Sequence, residues 1–224
     1  MTNRPEVLLF DVNETLLDLE PVKNSVSQVL GNRPELVPLW FTTLLQYALV
    51  TTVSDHYADF GSIGVAALQM VAEKKGLPLS REQAQEALRP MLSLAPHPEV
   101  KEALATLQKV GYRLAALTNS SRKAMEAQLA NAGINVFFEQ MLSVDDIGMY
   151  KPHQHVYRWA AGRMQAAPAE CMMIAAHGWD VAGAKWAGMR TAFIGRPGQM
   201  QFSLAPAADL VFSDMRELAE ELCR

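Results

Sequence analysis

Short apolar runs that alternate with helical patterns constrain the fold of this chain more than any other feature. Four runs bounded by turn-forming residues predict buried strands at 7–10, 114–117, 172–176 and 191–194, with a weaker candidate at 141–144. Helical periodicity fills the intervals, over 100–109, 122–132, 154–164 and 180–187. Strands that alternate with helices are typical of a parallel sheet covered by helices on both faces. The pattern therefore predicts an α/β fold.

Residues 19–94 interrupt this alternation. They contain no convincing buried strand, and their helical stretches at 36–54, 63–74 and 81–92 are separated by proline and glycine. The simplest account is an all-helical cap inserted after the first strand, with the chain returning to the sheet near Pro96. We therefore predict an α/β core domain of residues 1–18 and 95–224 and a helical cap domain of residues 19–94.

Composition excludes several classes of partner. The chain has 224 residues, of which 50% are hydrophobic, and a net charge of −4, which gives no basic footprint for nucleic acid or an anionic membrane. No run approaches 18 uninterrupted apolar residues, and the N-terminus lacks the apolar stretch of a signal peptide. The two cysteines form no CxxC pair. We expect a cytoplasmic protein that binds neither nucleic acid nor membrane.

Polar residues follow the predicted strands in a definite order. Asp11 comes directly after the first strand, where open α/β sheets bind their ligands. Thr118 and Asn119 follow the second strand, Lys151 follows a later loop, and the segment 177–180 follows the strand at 172–176. Each motif alone has a structural explanation as a helix cap or a solvated lysine. Their ordered combination predicts a catalytic site at one edge of the sheet.

This order resembles that of the haloacid dehalogenase (HAD) superfamily, and most closely the type II L-2-haloacid dehalogenases. The four motifs are the segments 11–15 (Asp-Val-Asn-Glu-Thr), 117–119 (Leu-Thr-Asn), 151–152 (Lys-Pro) and 179–180 (Trp-Asp). The resemblance implies a Rossmann-like core with a cap. It also implies a metal-independent hydrolase in which an aspartate displaces halide from C2 of a small 2-halocarboxylate, and water then hydrolyses the aspartyl ester. No cofactor is needed for this chemistry.

The same resemblance assigns roles to individual residues. Asp11 would be the nucleophile, Thr15 would orient it, and Lys151 would hold it ionised. Asp180 would position or activate the hydrolytic water, with His177 as the remaining catalytic candidate. The substrate-binding candidates are Asn13, Phe41, Thr118, Asn119, Tyr157 (as a supporting hydroxyl) and Trp179.

The sequence departs from the family pattern in two places. Phe41 stands where those dehalogenases carry an arginine that grips the leaving halide, so a charge-assisted contact worth roughly 1.5–3 kcal/mol is missing. Ala175, Ala176 and His177 stand where serines and an asparagine are usual. His177 is then either a substitute for the amide that hydrogen-bonds a neighbour, or a general base for hydrolysis of the ester.

Two other functions remain open from the sequence. A magnesium-dependent phosphatase of the same superfamily needs a second acid two residues after the nucleophile and another metal ligand before Asp180, whereas this chain has Asn13 and Ala176 there. A catalytically impaired binding or regulatory protein is the other alternative. The cap helix is apolar on several sides, so it packs either against neighbouring cap helices or against a second copy in a homodimer, which the resemblance also implies.

Overall fold

Six parallel strands form a single sheet at the centre of the protein. The computed structural model describes residues 4–224. The strands lie in the order β3-β2-β1-β4-β5-β6. Their bounds are β1 Val7–Phe10, β2 Arg113–Thr118, β3 Gln140–Ser143, β4 Cys171–Ala175, β5 Arg190–Ile194 and β6 Leu210–Phe212. All neighbouring pairs are parallel, which confirms the predicted fold class.

Burial explains which strands the sequence reveals. Every residue of β1 and β4 is buried, as expected for strands covered on both faces of a parallel sheet. The five predicted runs correspond to β1–β5, with bounds shifted by at most one residue at either end. Strand β6 was not predicted, because it is only three residues long and partly exposed at the edge of the sheet.

Helices cover the sheet. They are α5 Val100–Lys109, α6 Arg122–Asn131, α7 Gln154–Arg163, α8 Gly178–Trp186 and α9 Met215–Leu222. Helix α8 begins two residues before its predicted start, so Asp180 lies inside its first turn instead of capping it. This correction has a steric basis. Gly178 packs against the backbone of Met200 and Gln201 so closely that any side chain would clash.

Between β1 and α5 the structure contains only helical segments. The α-helices are α1 Glu20–Val29, α2 Val37–Val53, α3 Phe60–Lys74 and α4 Arg81–Leu88, with 3₁₀ turns at Pro34–Leu36 and Arg89–Ser93. Helix α2 packs on α3, α3 on α4, and α4 on α1. The predicted helix over 81–92 was too long, because Pro90 has no N–H donor and the chain continues there as a 3₁₀ turn. Helix α1 was not predicted.

The helical segment leaves and rejoins the sheet at neighbouring points. Leu17 and Pro96 form an antiparallel bridge. The backbone N–H of Asp18 donates to the carbonyl of Ala95 at 2.9 Å, and that of His97 donates to Leu16, also at 2.9 Å. This crossing lies next to the boundaries 18 and 95 chosen from the sequence. The division into two domains stays a prediction.

Helix α2 is the most apolar element of the cap. By length and composition the segment Pro34–Val53 is long and apolar enough to cross a membrane, and one third of it is buried inside the protein. Trp40, Leu44 and Ala48 belong to the hydrophobic core. The same composition occurs in core helices of soluble proteins, but here Leu49, Val50 and Val53 are exposed. Something other than this chain's own core would have to cover that face.

Candidate active site

The loop after β1 carries Asp11 into the interior. Asp11 is 5% exposed, and its backbone N–H donates to the carbonyl of Ile174 in β4 at 3.0 Å. The hydroxyl of Thr15 donates to Asp11 Oδ2 at 2.8 Å and accepts the backbone N–H of Ala176 at 2.9 Å. Thr15 therefore fixes one carboxylate oxygen of Asp11 against the end of β4, the orienting position that the sequence predicted for it.

Lys151 lies between the two aspartates at the sheet edge. Its Nζ donates to Asp11 Oδ1 at 2.8 Å, to Asp180 Oδ2 at 2.6 Å and to the carbonyl of Leu117 at 3.0 Å. These three contacts use all three ammonium hydrogens. Tyr157 Oη donates to the other oxygen of Asp180 at 2.6 Å. All four carboxylate oxygens of Asp11 and Asp180 are thus held by protein donors.

The electrostatics favour an ionised Asp11. Burial alone raises its pKa, but the charge of Lys151 and the hydrogen bond from His177 outweigh burial and hold the pKa well below its usual range. Burial alone lowers the pKa of Lys151, yet the two aspartates raise it. The pKa of Asp180 is raised, because burial and the charge of Asp11 exceed the effect of Lys151. Asp11 is accordingly the more readily ionised of the two carboxyl groups.

His177 forms a second charged link to Asp11. Its Nδ1 lies 3.1 Å from Asp11 Oδ2 and its Nε2 lies 3.2 Å from Glu14 Oε2. Burial alone lowers its pKa, but the hydrogen bonds to both carboxylates and their charges outweigh burial and raise the pKa to about 9. His177 is therefore an imidazolium at neutral pH in this conformation. It fits the amide-like interpretation here, since a protonated ring cannot accept a proton.

Two aromatic rings stack on the imidazolium. Phe41 stacks on His177 with ring centroids 6.0 Å apart, and Trp179 stacks on it at 5.1 Å. The faces of aromatic rings carry partial negative charge that attracts a cation at this distance. Phe41, which replaces the expected arginine, thus provides an apolar contact. The positive charge beside it belongs to His177.

Glu14 is a site residue that the sequence analysis missed. Its carboxylate contacts His177, accepts from Lys23 Nζ at 2.7 Å and accepts from Gln199 Nε2 at 2.8 Å. Its backbone has φ of 66°, a left-handed conformation that is rare for residues other than glycine. A usable signal was present in the sequence, because Glu14 is a second carboxylate three residues after Asp11 in a loop otherwise built of small and apolar residues.

The predicted substrate-binding residues divide into two groups. Asn119 lies at the site: its Oδ1 accepts the backbone N–H of Lys151 at 3.0 Å, while its buried Nδ2 has no partner among residues 4–224. Thr118 ends β2 and accepts the N–H of Ser120 at 3.1 Å. Asn13 instead donates to Ser120 Oγ at 2.9 Å and accepts from Gln128 at 3.0 Å. The amide of Asn13 is therefore engaged on the side of α6.

Two cavities lie between the cap helices and the core. One of about 850 Å³ is lined by residues of α3, α4 and the start of α6, and one of about 490 Å³ is lined by Glu14, Lys23, Phe41 and Gln199 among others. Trp40 lines both. Asp11 lines neither. Phe41 of the same cap helix stacks on His177, which contacts Asp11, so this helix lies over Asp11 in this conformation.

Comparisons with known proteins cover nearly the whole chain. Residues 5–188 match the family model of the haloacid dehalogenase-like hydrolases. The chain is 30% identical to (S)-2-haloacid dehalogenase 1 of Pseudomonas sp. strain CBS-3, over 96% of each chain. It is 28% identical to the (S)-2-haloacid dehalogenase of Pseudomonas sp. strain YL, over 95% of this chain and 92% of the relative. The crystal structure of an L-2-haloacid dehalogenase matches with a TM-score of 0.93 at 27% identity, covering 99% of this chain and 100% of that one.

Proposed function

The chain belongs to the haloacid dehalogenase-like hydrolases, in the branch of the type II L-2-haloacid dehalogenases, and from this premise we propose that it removes halide from a small (S)-2-halocarboxylate. The relatives are (S)-2-haloacid dehalogenases at 28% and 30% identity over nearly their full length. The single observation that carries the proposal is the ionised Asp11, held by Lys151, Thr15 and His177 at the sheet edge.

The reaction proceeds in two half-reactions. In the first, a carboxylate oxygen of Asp11 bonds to C2 of the substrate as the carbon–halogen bond breaks, and the halide leaves with the bonding electrons. In the second, water attacks the carbonyl carbon of the aspartyl ester and releases a 2-hydroxycarboxylate, which restores Asp11. Attack at saturated carbon needs in-line geometry and little water around the carboxylate. The covering helix α2 supplies that exclusion of water.

Neighbouring residues support each half-reaction. Lys151 and Thr15 donate to Asp11 and would stabilise the negative charge that develops on its carbonyl oxygen during hydrolysis. The unpaired Nδ2 of Asn119 is a buried donor that a substrate carboxylate or a leaving halide would satisfy. Asp180, held by Lys151 and Tyr157, would position the hydrolytic water.

The proposed reaction requires no metal ion. The ammonium of Lys151 bridges Asp11 and Asp180 and supplies positive charge between them. Each oxygen of both carboxylates already accepts a hydrogen bond from Lys151, Thr15, His177 or Tyr157. Asn13 and Ala176 add no carboxylate. The donor set therefore does not fit Mg²⁺, and this supports a metal-independent hydrolase over a magnesium-dependent phosphatase.

Isotope labelling tests the proposal directly. A single turnover of 2-chloropropionate in H₂¹⁸O, with chelator present, should release chloride and place ¹⁸O in the side chain of Asp11, which peptide mass spectrometry can detect. Asp11→Asn should release no chloride. Turnover without label in Asp11 would show that water attacks the substrate directly, and chloride release that stops with chelator would show a metal requirement.

Two further expectations accompany the activity. We propose that the protein is a homodimer, because the exposed part of α2 presents apolar side chains that a second copy would cover. A cytoplasmic location stays a prediction.

A further inference from the structure

We propose that Glu14 is a positioning residue for the second half-reaction. Glu14 holds the ring of His177, so that Nδ1 of this ring becomes the base for the hydrolytic water once Asp11 is esterified. The inference rests on the proposed function, because it assigns a role in the hydrolysis of the aspartyl ester. It combines the two interpretations of His177. The ring is a hydrogen-bonding cation before the reaction and a base after the first half-reaction.

The backbone conformation of Glu14 is unusual for a residue with a long side chain. A left-handed φ of 66° is unfavourable for a residue with a Cβ atom, because this atom comes close to the following carbonyl oxygen. Glycine would avoid that cost, yet the position carries a long acidic side chain that is only 7% exposed. Strained residues of this kind persist where surrounding contacts over-determine them, and they cluster at functional sites.

The contacts of Glu14 keep it ionised and aimed at His177. Lys23 and Gln199 both donate to its carboxylate, and Lys23 is partly exposed on the side of the 490 Å³ cavity. Burial alone raises the pKa of Glu14, but the hydrogen bonds from His177 and Lys23 outweigh burial and lower it. An ionised Glu14 accepts the hydrogen on Nε2 of His177, which leaves Nδ1 directed at Asp11.

Esterification of Asp11 changes the state of the ring. Before the reaction two carboxylates stabilise the imidazolium, and afterwards only Glu14 remains charged. The ring is then less basic, and its Nδ1 proton passes to solvent. In the hydrolysis step a water oxygen bonds to the ester carbonyl carbon, and Nδ1 takes the proton of that water. Collapse of the intermediate breaks the bond between the carbonyl carbon and the substrate oxygen, and that oxygen takes the proton from Nδ1 as the 2-hydroxycarboxylate leaves. The proton that remains on the new Asp11 carboxyl then passes to Nδ1, which restores the ionised Asp11 and the imidazolium.

Charged and titratable groups from several neighbouring elements lie near His177. Asp11 and Glu14 contact the ring directly, and Lys151 and Asp180 act on it through Asp11. Lys23 contacts Glu14 from α1. Two further groups contact the loop that contains Glu14 and Thr15. His97 Nε2 lies 3.0 Å from the carbonyl of Glu14, and Arg196 donates to the carbonyl of Thr15 at 2.9 Å. Glu14 is the group among these whose removal changes the charge beside Nε2 without touching Asp11.

The test separates the two half-reactions. Each variant is mixed with excess 2-chloropropionate or chloroacetate; the first equivalent of chloride reports alkylation, and intact-mass spectrometry follows the decay of the Asp11 adduct from pH 5 to 9. In Glu14→Gln we expect chloride release within about threefold of wild type and adduct decay slowed tenfold or more, because a positioned base contributes roughly 10²–10⁴-fold. We also expect the pH profile of decay to shift to lower pH.

Two further variants keep the result interpretable. Glu14→Gly removes the carboxylate and suits the left-handed backbone, so it should fold and should also accumulate the adduct. Glu20→Gln removes an exposed carboxylate that lines the same cavity and should change neither step. Adduct decay at the wild-type rate and with the wild-type pH profile in both Glu14 variants would overturn the role of Glu14 while leaving the dehalogenase proposal intact. Absence of any chloride or adduct in the wild type would overturn both.

Discussion

His177 concentrates the unusual electrostatics of this protein in one side chain. It is buried, it contacts two carboxylates, and two aromatic rings stack on it. A histidine in water titrates near pH 6.5, whereas here the carboxylates raise the pKa to about 9. The charge that the family pattern places on an arginine at position 41 is therefore present at position 177, next to the nucleophile, with Phe41 packed against it.

This pKa predicts a pH dependence of stability. Because the pKa of His177 in the folded state lies above its unfolded value, its contribution to stability is fully present below about pH 6.5 and is lost as pH rises towards 9. A shift of this size corresponds to roughly 3 kcal/mol. Urea unfolding at pH 6.0, 7.5 and 9.0 should show a fall in the free energy of unfolding for wild type that is strongly reduced in His177→Gln.

An exposed histidine provides the control for that measurement. His155 is exposed at the start of α7, so His155→Gln should keep the wild-type fall in the free energy of unfolding. Equal pH dependence in wild type and His177→Gln would mean that the ring is not a stabilising cation in the folded protein. In that case it would also be available as a base before the ester forms.

The predictability of the site differs from residue to residue. Asp11, Lys151 and Asp180 could be predicted because Asp11 and Asp180 follow strands and Lys151 follows the loop after β3, in a recognisable order. In the structure Lys151 contacts both aspartates. The link between Asp11, His177 and Glu14 could not, because it depends on the left-handed turn at Glu14 and on a ring placed 163 residues later. The local sequence around either residue does not specify the contact between Glu14 and His177.

Helix α8 is the element on which the geometry of the site depends most. It carries Asp180 in its first turn and packs directly against Pro152 and Tyr157 through Gly183. A Cβ atom at Gly183 would lie 2.5 Å from the ring of Pro152 and 2.7 Å from Tyr157 Oη. The close approach explains a glycine inside a helix, where it is otherwise unfavourable by roughly 1 kcal/mol relative to alanine.

Substitution of this glycine should damage both stability and the site. Gly183→Ala forces α8 away from Pro152 and Tyr157, so we expect a loss of about 1–3 kcal/mol in the free energy of unfolding and slower ester hydrolysis, because Asp180 moves with the helix. Gly162→Ala is the matched control: that glycine lies in α7 with no atom near its missing Cβ. It should stabilise the protein by about 0.5–1 kcal/mol. A stabilised Gly183→Ala would contradict the packing described for α8.

At the scale of elements, buried strands were the easiest feature to predict. Strands β1, β2, β4 and β5 contain continuous apolar runs because both faces of the sheet are covered there, whereas β3 is only half buried and was the weaker candidate. Strand β6 and the end of helix α4 were not predicted correctly from the sequence. An edge strand of three partly exposed residues has no apolar run, and the end of α4 depends on how Pro90 redirects the chain into a 3₁₀ turn.

The whole molecule consists of a sheet whose carboxyl edge is covered by the helices that follow β1. Contacts across this boundary are specific: Tyr57 donates to Asp145, Tyr150 Oη donates to the carbonyl of Ala58 at 2.5 Å, and Gln128 donates to that of Met91 at 2.9 Å. Asp11 and Asn119 lie beneath the cover. Because Asp11 is only 5% exposed, we expect substrate entry to require movement of these helices relative to the sheet.

The exposed face of α2 predicts that the protein forms a homodimer. Leu49, Val50 and Val53 are 41%, 47% and 84% exposed on a helix whose other side packs into the core, and apolar surface of this kind favours association with a partner. We expect wild type to have twice the chain mass of 24.7 kDa in size-exclusion chromatography with light scattering.

Lysines on this face should separate the two copies, because association would bury their charge without a partner. Leu49→Lys combined with Val53→Lys should give a folded monomer, while Val136→Lys, at a 71% exposed apolar residue elsewhere, should leave the dimer intact. Phe41 contacts His177 at the opposite end of the same helix, so chloride release by the folded monomer should persist. A wild-type mass of one chain at every concentration would contradict the dimer, and loss of chloride release on dissociation would show that the second copy supports the site.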